Sequence, residues 1–519
     1  MLVGYDASRA FVNEATGTEN YSLNLLRALA KIDRKNRYRV YLREGSMGPV
    51  SSFPPASAQS SGSSKPSQSS IPEALRAVGS PSSAAIHRTE WPPNFEFKVV
   101  RPYRFWTQLG LALETWRNPV DILFIPAHTL PILRRRKIGK GTTSGQSTTG
   151  IKSLLSFLRA HGTRDTRYVV TIHDLGVEYL PGYHQFPQRY YLDFASRYAA
   201  RHADAVIAVS KSTKRDLIKT YAIATKKIFV VPEGVDRRLF KPQSKSKVKS
   251  VKSKYKIKGN YILFVGTVQP RKNLVMLIET FARLIGKDIE VSQVTKGIKD
   301  IKRRKISLNF LNNLNALNNL NGLNLVIAGK LGWDYDGILS APEKYGVKEK
   351  VKFIGYVPGV DLPALYSGAA VCAFPSLFEG FDLPILEALS CGCPVIASDI
   401  GVHREILRKI SNSNIEVRNG KLDNDVGSGK ILTSHFKNPV SHFQRLTSNS
   451  EISTSEKVAE AMILVKPDDI DNWVKVLYQY ISQYEISKSS ISVQKQLFSM
   501  FSWERTAKST LAVFGAVLR

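Results

Sequence analysis

Two carboxylates eight positions apart, Glu379 and Glu387, bracket a turn in "EGFDLPILEALSCGCPVIASD", residues 379–399. The pattern predicts a strand over "AAVCAFPS", the turn, a helix over "ILEALSCG" closed by Gly392, and a second strand over "PVIASD". Pro384 suits a first helical position, where no intrahelical partner exists for an N–H, with Asp382 or Leu383 as the preceding cap. A helix start that follows a strand of a parallel sheet offers free N–H groups and a partial positive charge, a ready site for phosphate. Glu387 lies one turn further in, roughly 5 Å from that start, within reach of hydroxyls on a sugar attached to the phosphate. Glu379 would serve hydroxyls on the other side. Carboxylates flanking a phosphate cradle suit a diphosphate with a sugar at each end, a nucleotide sugar. The plainer employment of both residues, as caps or surface ion pairs, is what the bare spacing would mean; the turn around them favours a site.

Such a turn needs a parallel sheet behind it. Short apolar runs ("YRVYL", "DILFIPA", "RYVVTIHDL", "DAVIAVS", "KIFVVPEG") alternate with helical stretches ("TENYSLNLLRALAKID", "KSTKRDLIKTY") in the first half of the chain. In the second half "YILFVG", "LNLVIAG", "VKFIG", "AAVCAFPS" and "CPVIASD" alternate in the same way, with "LVMLIETFARLI" among the helices. Continuous apolar strands alternating with helices indicate parallel sheets covered on both faces, a doubly wound α/β class. The pattern occurs twice, so two Rossmann-like domains facing across a cleft are expected. Residues 1–240 form the first, 241–258 a Lys/Ser-rich linker, 259–499 the second, and 500–519 a C-terminal helix returning to the first domain. Four stretches break the rhythm: 45–90, rich in Ser, Pro and Ala and read as disordered; 134–167, a basic loop; 288–322, ending in a Leu-Asn run; and 408–458, polar and without strand periodicity. They are read as insertions, and none looks catalytic.

The 519 residues carry a net charge of +31. Nine Lys/Arg against one Asp lie in 134–167, and eight Lys with no acid in 241–258, so these stretches hold 16 of the 31. Both read as solvated loops. The charge would suit peripheral contact with an acidic membrane surface or non-specific attraction of nucleic acid. It lacks the interleaved aromatics of a nucleic-acid groove, and no specific nucleic acid is expected. The three cysteines, Cys372, Cys391 and Cys393, fit a reduced, cytoplasmic protein and read as small core residues rather than a metal pair. No leader is expected, because the chain opens on a strand, "LVGYDAS", and no apolar run approaches the length of a membrane span.

The turn at 379–399 resembles the E-x7-E signature of retaining GT-B glycosyltransferases of family 4. Further stretches resemble that family in order: "TGTENYSLNLLRAL", "DILFIPAHTLP", "VVTIHDLG", "AVSKSTKRDL", "VVPEGVD", "FVGTVQPRKN", "VIAGKLGWDYD", "FIGYVPGVDLPALYSGA" and "FSWERTAKSTL". The mannosyltransferase-like branch of cell-surface polysaccharide or glycolipid synthesis is the nearest likeness. The resemblance implies transfer of a hexose, mannose or glucose in type, from a nucleotide-diphosphate sugar to a saccharide or lipid-linked acceptor, with no cofactor and no metal. It assigns Arg271 and Lys272 to the donor diphosphate, where fixed cations neutralise the leaving group. Thr267 stands where many members carry Arg. The resemblance sets Gly266, Thr267, Gly380, Phe381, Asp382 and Leu383 beside the donor, Glu379 on the sugar and Glu387 on the ribose. Asp382 replaces the commonest residue there, glycine, and should point away from phosphate or bind sugar hydroxyls. Gly17 resembles the glycine that approaches the diphosphate, and His173 the active-site histidine, with Asp174 orienting it; His128 reads as structural or acceptor-side. The remaining alternatives are a basic nucleic-acid-binding protein and another GT-B nucleotide-sugar enzyme such as an epimerase.

Overall fold

The computed structural model describes residues 1–12, 14–43, 91–102, 106–134, 166–176, 188–286, 320, 322–411, 461–482 and 491–519. The four interrupting stretches fall almost wholly outside these residues. The chain divides into two compact units: Met1–Gly234 with Phe378–Phe381 and Phe501–Arg519, and Val235–Leu377 with Asp382–Met500.

The first unit is built on a seven-stranded sheet of β1 (Leu2–Asp6), β2 (Arg37–Arg43), β3 (Phe95–Val100), β4 (Ile122–Ile125), β5 (Arg167–Ile172), β6 (Ala205–Ala208) and β7 (Ile228–Val230). The order is β3-β2-β1-β4-β5-β6-β7, parallel throughout. The first helices are α1 (Gly17–Ile32), α2 (Ala112–Arg117), α3 (Gln188–His202) and α4 (Lys211–Tyr221). Every residue of β4 and β6 is buried, as strands covered on both faces require. The second unit is a six-stranded parallel sheet of β8 (Tyr261–Val265), β9 (Asn324–Ala328), β10 (Val351–Gly355), β11 (Val371–Phe374), β12 (Val395–Ser398) and β13 (Met462–Val465). Its order is β10-β9-β8-β11-β12-β13. Its helices are α5 (Lys245–Lys254), α6 (Leu274–Ile285), α7 (Asp336–Lys344), α8 (Leu362–Gly368), α9 (Leu383–Ser390), α10 (Gly401–Ser411), α11 (Ile470–Ser482) and α12 (Ile491–Met500). In α6, Leu274, Leu277, Ile278, Phe281 and Leu284 recur at helical spacing and are buried, each contributing about 1.5–3 kcal/mol.

The strands and helices quoted from the sequence are present, and the two parallel-sheet α/β units are those expected. Two strands were not anticipated, β3 and β13; each follows directly on a polar stretch that hides its pattern. The Lys/Ser segment is also not a loop. Ser244 caps α5 by accepting from the Lys247 N–H (3.3 Å). Val251 and Tyr255 are buried, and the helix packs on α8. Val248, Val251 and Tyr255 sit at i, i+3 and i+7, one apolar stripe among lysines. Lys254 Nζ (2.6 Å) and the Tyr255 hydroxyl (2.9 Å) both donate to Asp361. The last helix, α13 (Trp503–Leu518), belongs to the first unit and packs along α1, with Phe514 edge-on to Phe124 of β4. No helix among the described residues is long and apolar enough to cross a membrane.

Candidate functional site

In an open parallel sheet, ligands bind beyond the carboxyl ends of the strands, where the strand order reverses. In the second unit that point lies between β8 and β11, neighbouring parallel strands. The residues singled out in sequence emerge there. Beyond β8, Pro270–Lys272 forms a single 3-10 turn carrying Arg271 and Lys272. Beyond β11, the chain leads into α9. The Leu377 N–H donates to the Arg271 carbonyl (2.9 Å), tying the two connections together. Lys272 is buried rather than solvated, as a cation held for a purpose would be. Gly266 and Thr267 lie at the end of β8, against Gly329 after β9. A Cβ on Gly329, whose φ is +153°, would stand 1.8 Å from the Gly266 carbonyl oxygen, so the two connections touch only because that residue is glycine.

Helix α9 starts at Leu383, with Asp382 in front of it and Pro384 in its first turn. Asp382 does not cap the helix with its side chain. Its backbone is left-handed (φ +81°, ψ +68°), and its carboxylate reaches His403 on α10 (Oδ2 to Nε2, 3.1 Å). Of the two poses expected for Asp382, the carboxylate therefore takes a protein partner. Burial alone would raise its pKa, but the Lys272 charge, then His403 and Arg271, hold it below the usual carboxylate value. One turn on, Glu387 accepts from the Tyr366 hydroxyl of α8 (2.8 Å). Burial pushes its pKa up to about 7; the Tyr366 bond opposes this and the Asp382 charge adds to it. The three cysteines are buried free thiols, Cys372 and Cys393 lying 3.2 Å apart at sulfur. Among the described residues no group of three His, Cys, Asp or Glu is arranged to hold a metal.

In the first unit the order reverses between β1 and β4. Gly17 opens α1 behind a capping box of Thr16 and Glu19. A Cβ at Gly17 would meet no protein atom within 4 Å, so protein packing does not demand glycine there. His173 follows β5 and is buried. Its Nδ1 is 3.1 Å from Glu233 Oε1 and its Nε2 is 3.1 Å from the Pro126 carbonyl. The Pro126 carbonyl can only accept, so Nε2 donates to it, and Nδ1 shares a proton with the Glu233 carboxyl. Burial would lower its pKa, yet the Glu233 hydrogen bond and charge raise it above the ordinary value. His128 stacks on it (5.6 Å, 14°) and accepts the His173 backbone N–H at Nε2 (3.2 Å). Burial, then the His173 charge, pushes the pKa of His128 down to about 4. Asp174 accepts from the Gly176 N–H (3.0 Å).

Residues Phe378–Phe381 group with this first unit. Glu379 and Phe381 are buried, and Phe381 lies edge-on to Phe501 (5.9 Å). A Cβ on Gly380 would lie 1.8 Å from the His173 carbonyl oxygen. The Thr213 hydroxyl donates to that oxygen (3.1 Å) and lies 3.4 Å from the Gly380 carbonyl. Only a residue without a side chain lets the turn seat so closely.

A family model described as "Glycosyl transferases group 1" matches residues 246–419, and one described as "Glycosyltransferase Family 4" matches residues 147–239. The chain belongs to the family 4 glycosyltransferases. It is 26% identical over 235 residues to O-antigen chain mannosyltransferase B of Escherichia coli, covering 45% of this chain and 53% of the relative. The match thus spans about half of that curated protein's length. The GT-B fold is similar to that of sucrose-phosphate synthase from Thermosynechococcus elongatus, with a TM-score of 0.56, 14% identity, and 100% and 99% of the two chains covered. It is also similar to that of Anabaena HepE in complex with UDP and glucose, with a TM-score of 0.55, 14% identity, and 99% and 100% covered.

The sequence singled out the turn with Arg271 and Lys272, but not three residues that the structure sets against the candidate side chains: Glu233, Tyr366 and His403. Glu233 was visible as the acid of "VVPEGVD", whose long-range pairing with His173 no local pattern announces. Tyr366 and His403 read as ordinary helical residues. Both meet their carboxylates only through packing, 21 positions away in each case.

Proposed function

We propose that this family 4 glycosyltransferase moves a hexosyl group, mannose or glucose in type, from a nucleoside-diphosphate sugar to an acceptor hydroxyl, with retention at the anomeric carbon. One observation carries the reading: Arg271 and Lys272 beyond β8 and the start of α9 beyond β11 meet at the switch point of one sheet, joined by the Leu377–Arg271 backbone bond. A diphosphate placed there faces two cations and the positive end of α9, with Glu387 one turn inward for the ribose. Glu379, on the preceding turn, takes hydroxyls of the sugar.

In the step itself the anomeric carbon–oxygen bond to the phosphate breaks, and the acceptor oxygen bonds to the same face of that carbon. The acceptor's proton passes to the departing phosphate oxygen, so no enzymic nucleophile takes part. Lys272, Arg271 and the helix start neutralise the developing charge, assigning to protein groups what a metal would otherwise supply. Both ring nitrogens of His173 are taken up by Glu233 and the Pro126 carbonyl, so it is assigned no proton transfer, and its backbone carbonyl seats Gly380. The acceptor is taken to be a saccharide or lipid-linked saccharide, the class suggested by a relative named for O-antigen mannosyl transfer.

The test is a thermal-shift screen with UDP, GDP and ADP, followed by turnover of the corresponding sugars. A nucleotide that binds only the folded protein raises its apparent stability. Lys272→Ala and Glu379→Ala should each abolish transfer while leaving the circular dichroism spectrum unchanged. Near-normal turnover in either variant would remove the site assignment. A rearranged sugar nucleotide appearing without any acceptor would favour an epimerase instead.

A further inference from the structure

His403 is fully buried on α10. Its Nδ1 lies 2.7 Å from the Ser398 carbonyl at the end of β12, and its Nε2 lies 3.1 Å from Asp382 Oδ2. Asp382 is awkward on two counts. It occupies a left-handed backbone without being glycine, which costs on the order of 1–3 kcal/mol. Its other carboxylate oxygen, Oδ1, is buried and makes no hydrogen bond with the described residues. A chain that tolerates both has a reason to hold that carboxylate where it is.

We propose that His403 is a positioning residue for the donor turn: by anchoring Asp382 through Oδ2 it draws the carboxylate toward α10 and locks the left-handed bend that leads into α9. The Ser398 carbonyl fixes the other ring nitrogen, so the imidazole cannot swing and take its partner with it. Without His403, Asp382 would be a buried carboxylate lacking its anchor beside the diphosphate cradle, free to turn toward the positive end of α9 and compete with phosphate. The inference rests on the reading of α9 as the diphosphate site. It extends that reading to a residue on another element, 21 positions beyond Asp382.

The experiment is a double-mutant cycle on the full chain with His403→Gln, His403→Ala, Asp382→Gly and the His403→Ala/Asp382→Gly pair. UDP, GDP and ADP are the probes, and affinity is read by calorimetry. Either single change at His403 should weaken binding of whichever nucleotide the wild type takes by on the order of tenfold, as expected when one partner of a buried pair is lost. In turnover the change should raise KM and leave kcat within error. In the Asp382→Gly background, where glycine accepts the bend and no carboxylate competes, removing His403 should change affinity by no more than about twofold, the usual additivity of independent sites. An equal loss in both backgrounds would overturn the proposal, because His403 would then act without Asp382; so would folded His403→Gln that binds as tightly as wild type. Failure of wild type to bind any of UDP, GDP and ADP would sink the diphosphate reading instead. The same cycle read as melting temperature without nucleotide still decides whether the two residues are coupled, and additive shifts there would refute the anchoring.

Discussion

Glu387 supplies the prediction that can be worked furthest. Its pKa is raised from 4.5 to about 7, with burial as the main cause. A carboxyl whose folded pKa lies above its unfolded value stabilises the protein fully below the unfolded pKa, and that stability is lost as pH rises through the folded one. The shift corresponds to about 3 kcal/mol, at 1.36 kcal/mol per pKa unit. Glu387→Gln keeps an acceptor for the Tyr366 hydroxyl but cannot ionise. Between pH 4.5 and pH 8, wild type should therefore lose about 3 kcal/mol more stability than the variant. For a unit of this size the differential is roughly 6–12 °C in melting temperature. Melting curves of both proteins at half-unit pH steps measure it, and all other titrating groups cancel in the comparison. Parallel curves for the two proteins would show that Glu387 is not held in a desolvated site, and the argument from burial would fail.

Glu233→Gln tests the His173–Glu233 pair. With the His173 pKa raised in the fold, stability is fully present below the unfolded value and lost as pH rises through the folded one, so the variant should lose more stability at pH 6 than at pH 8, read by urea denaturation. Gly17→Ala should melt as wild type in a thermal scan, since its Cβ meets no protein atom within 4 Å. Transfer measured with and without EDTA should be equal within about twofold if Lys272, Arg271 and the helix start carry the neutralisation; a metal requirement would reassign that charge.

Local pattern alone determined a good deal. The parallel α/β class follows from apolar runs alternating with helical periods, because a strand buried on both faces must be apolar at every position. The donor turn is also local: Glu379, the Gly-Phe-Asp-Leu-Pro bend and Glu387 lie within nine residues, so backbone geometry brings them together wherever the segment folds. The fate of the lysine-rich segment 241–258 was not legible by composition, because three apolar residues at helical spacing outweigh eight lysines only once α8 is there to cover them. Protonation was equally hidden. His173 looks like any other histidine in sequence, and only packing supplies it with Glu233 and the Pro126 carbonyl. A charge state depends on what surrounds a group after folding, and those neighbours come from strands and helices distant in the chain. Residue types and short spacings therefore pointed to a candidate chemistry, whereas tertiary structure decided that Asp382 is held low, that Glu387 is pushed toward neutrality, and which way Asp382 points.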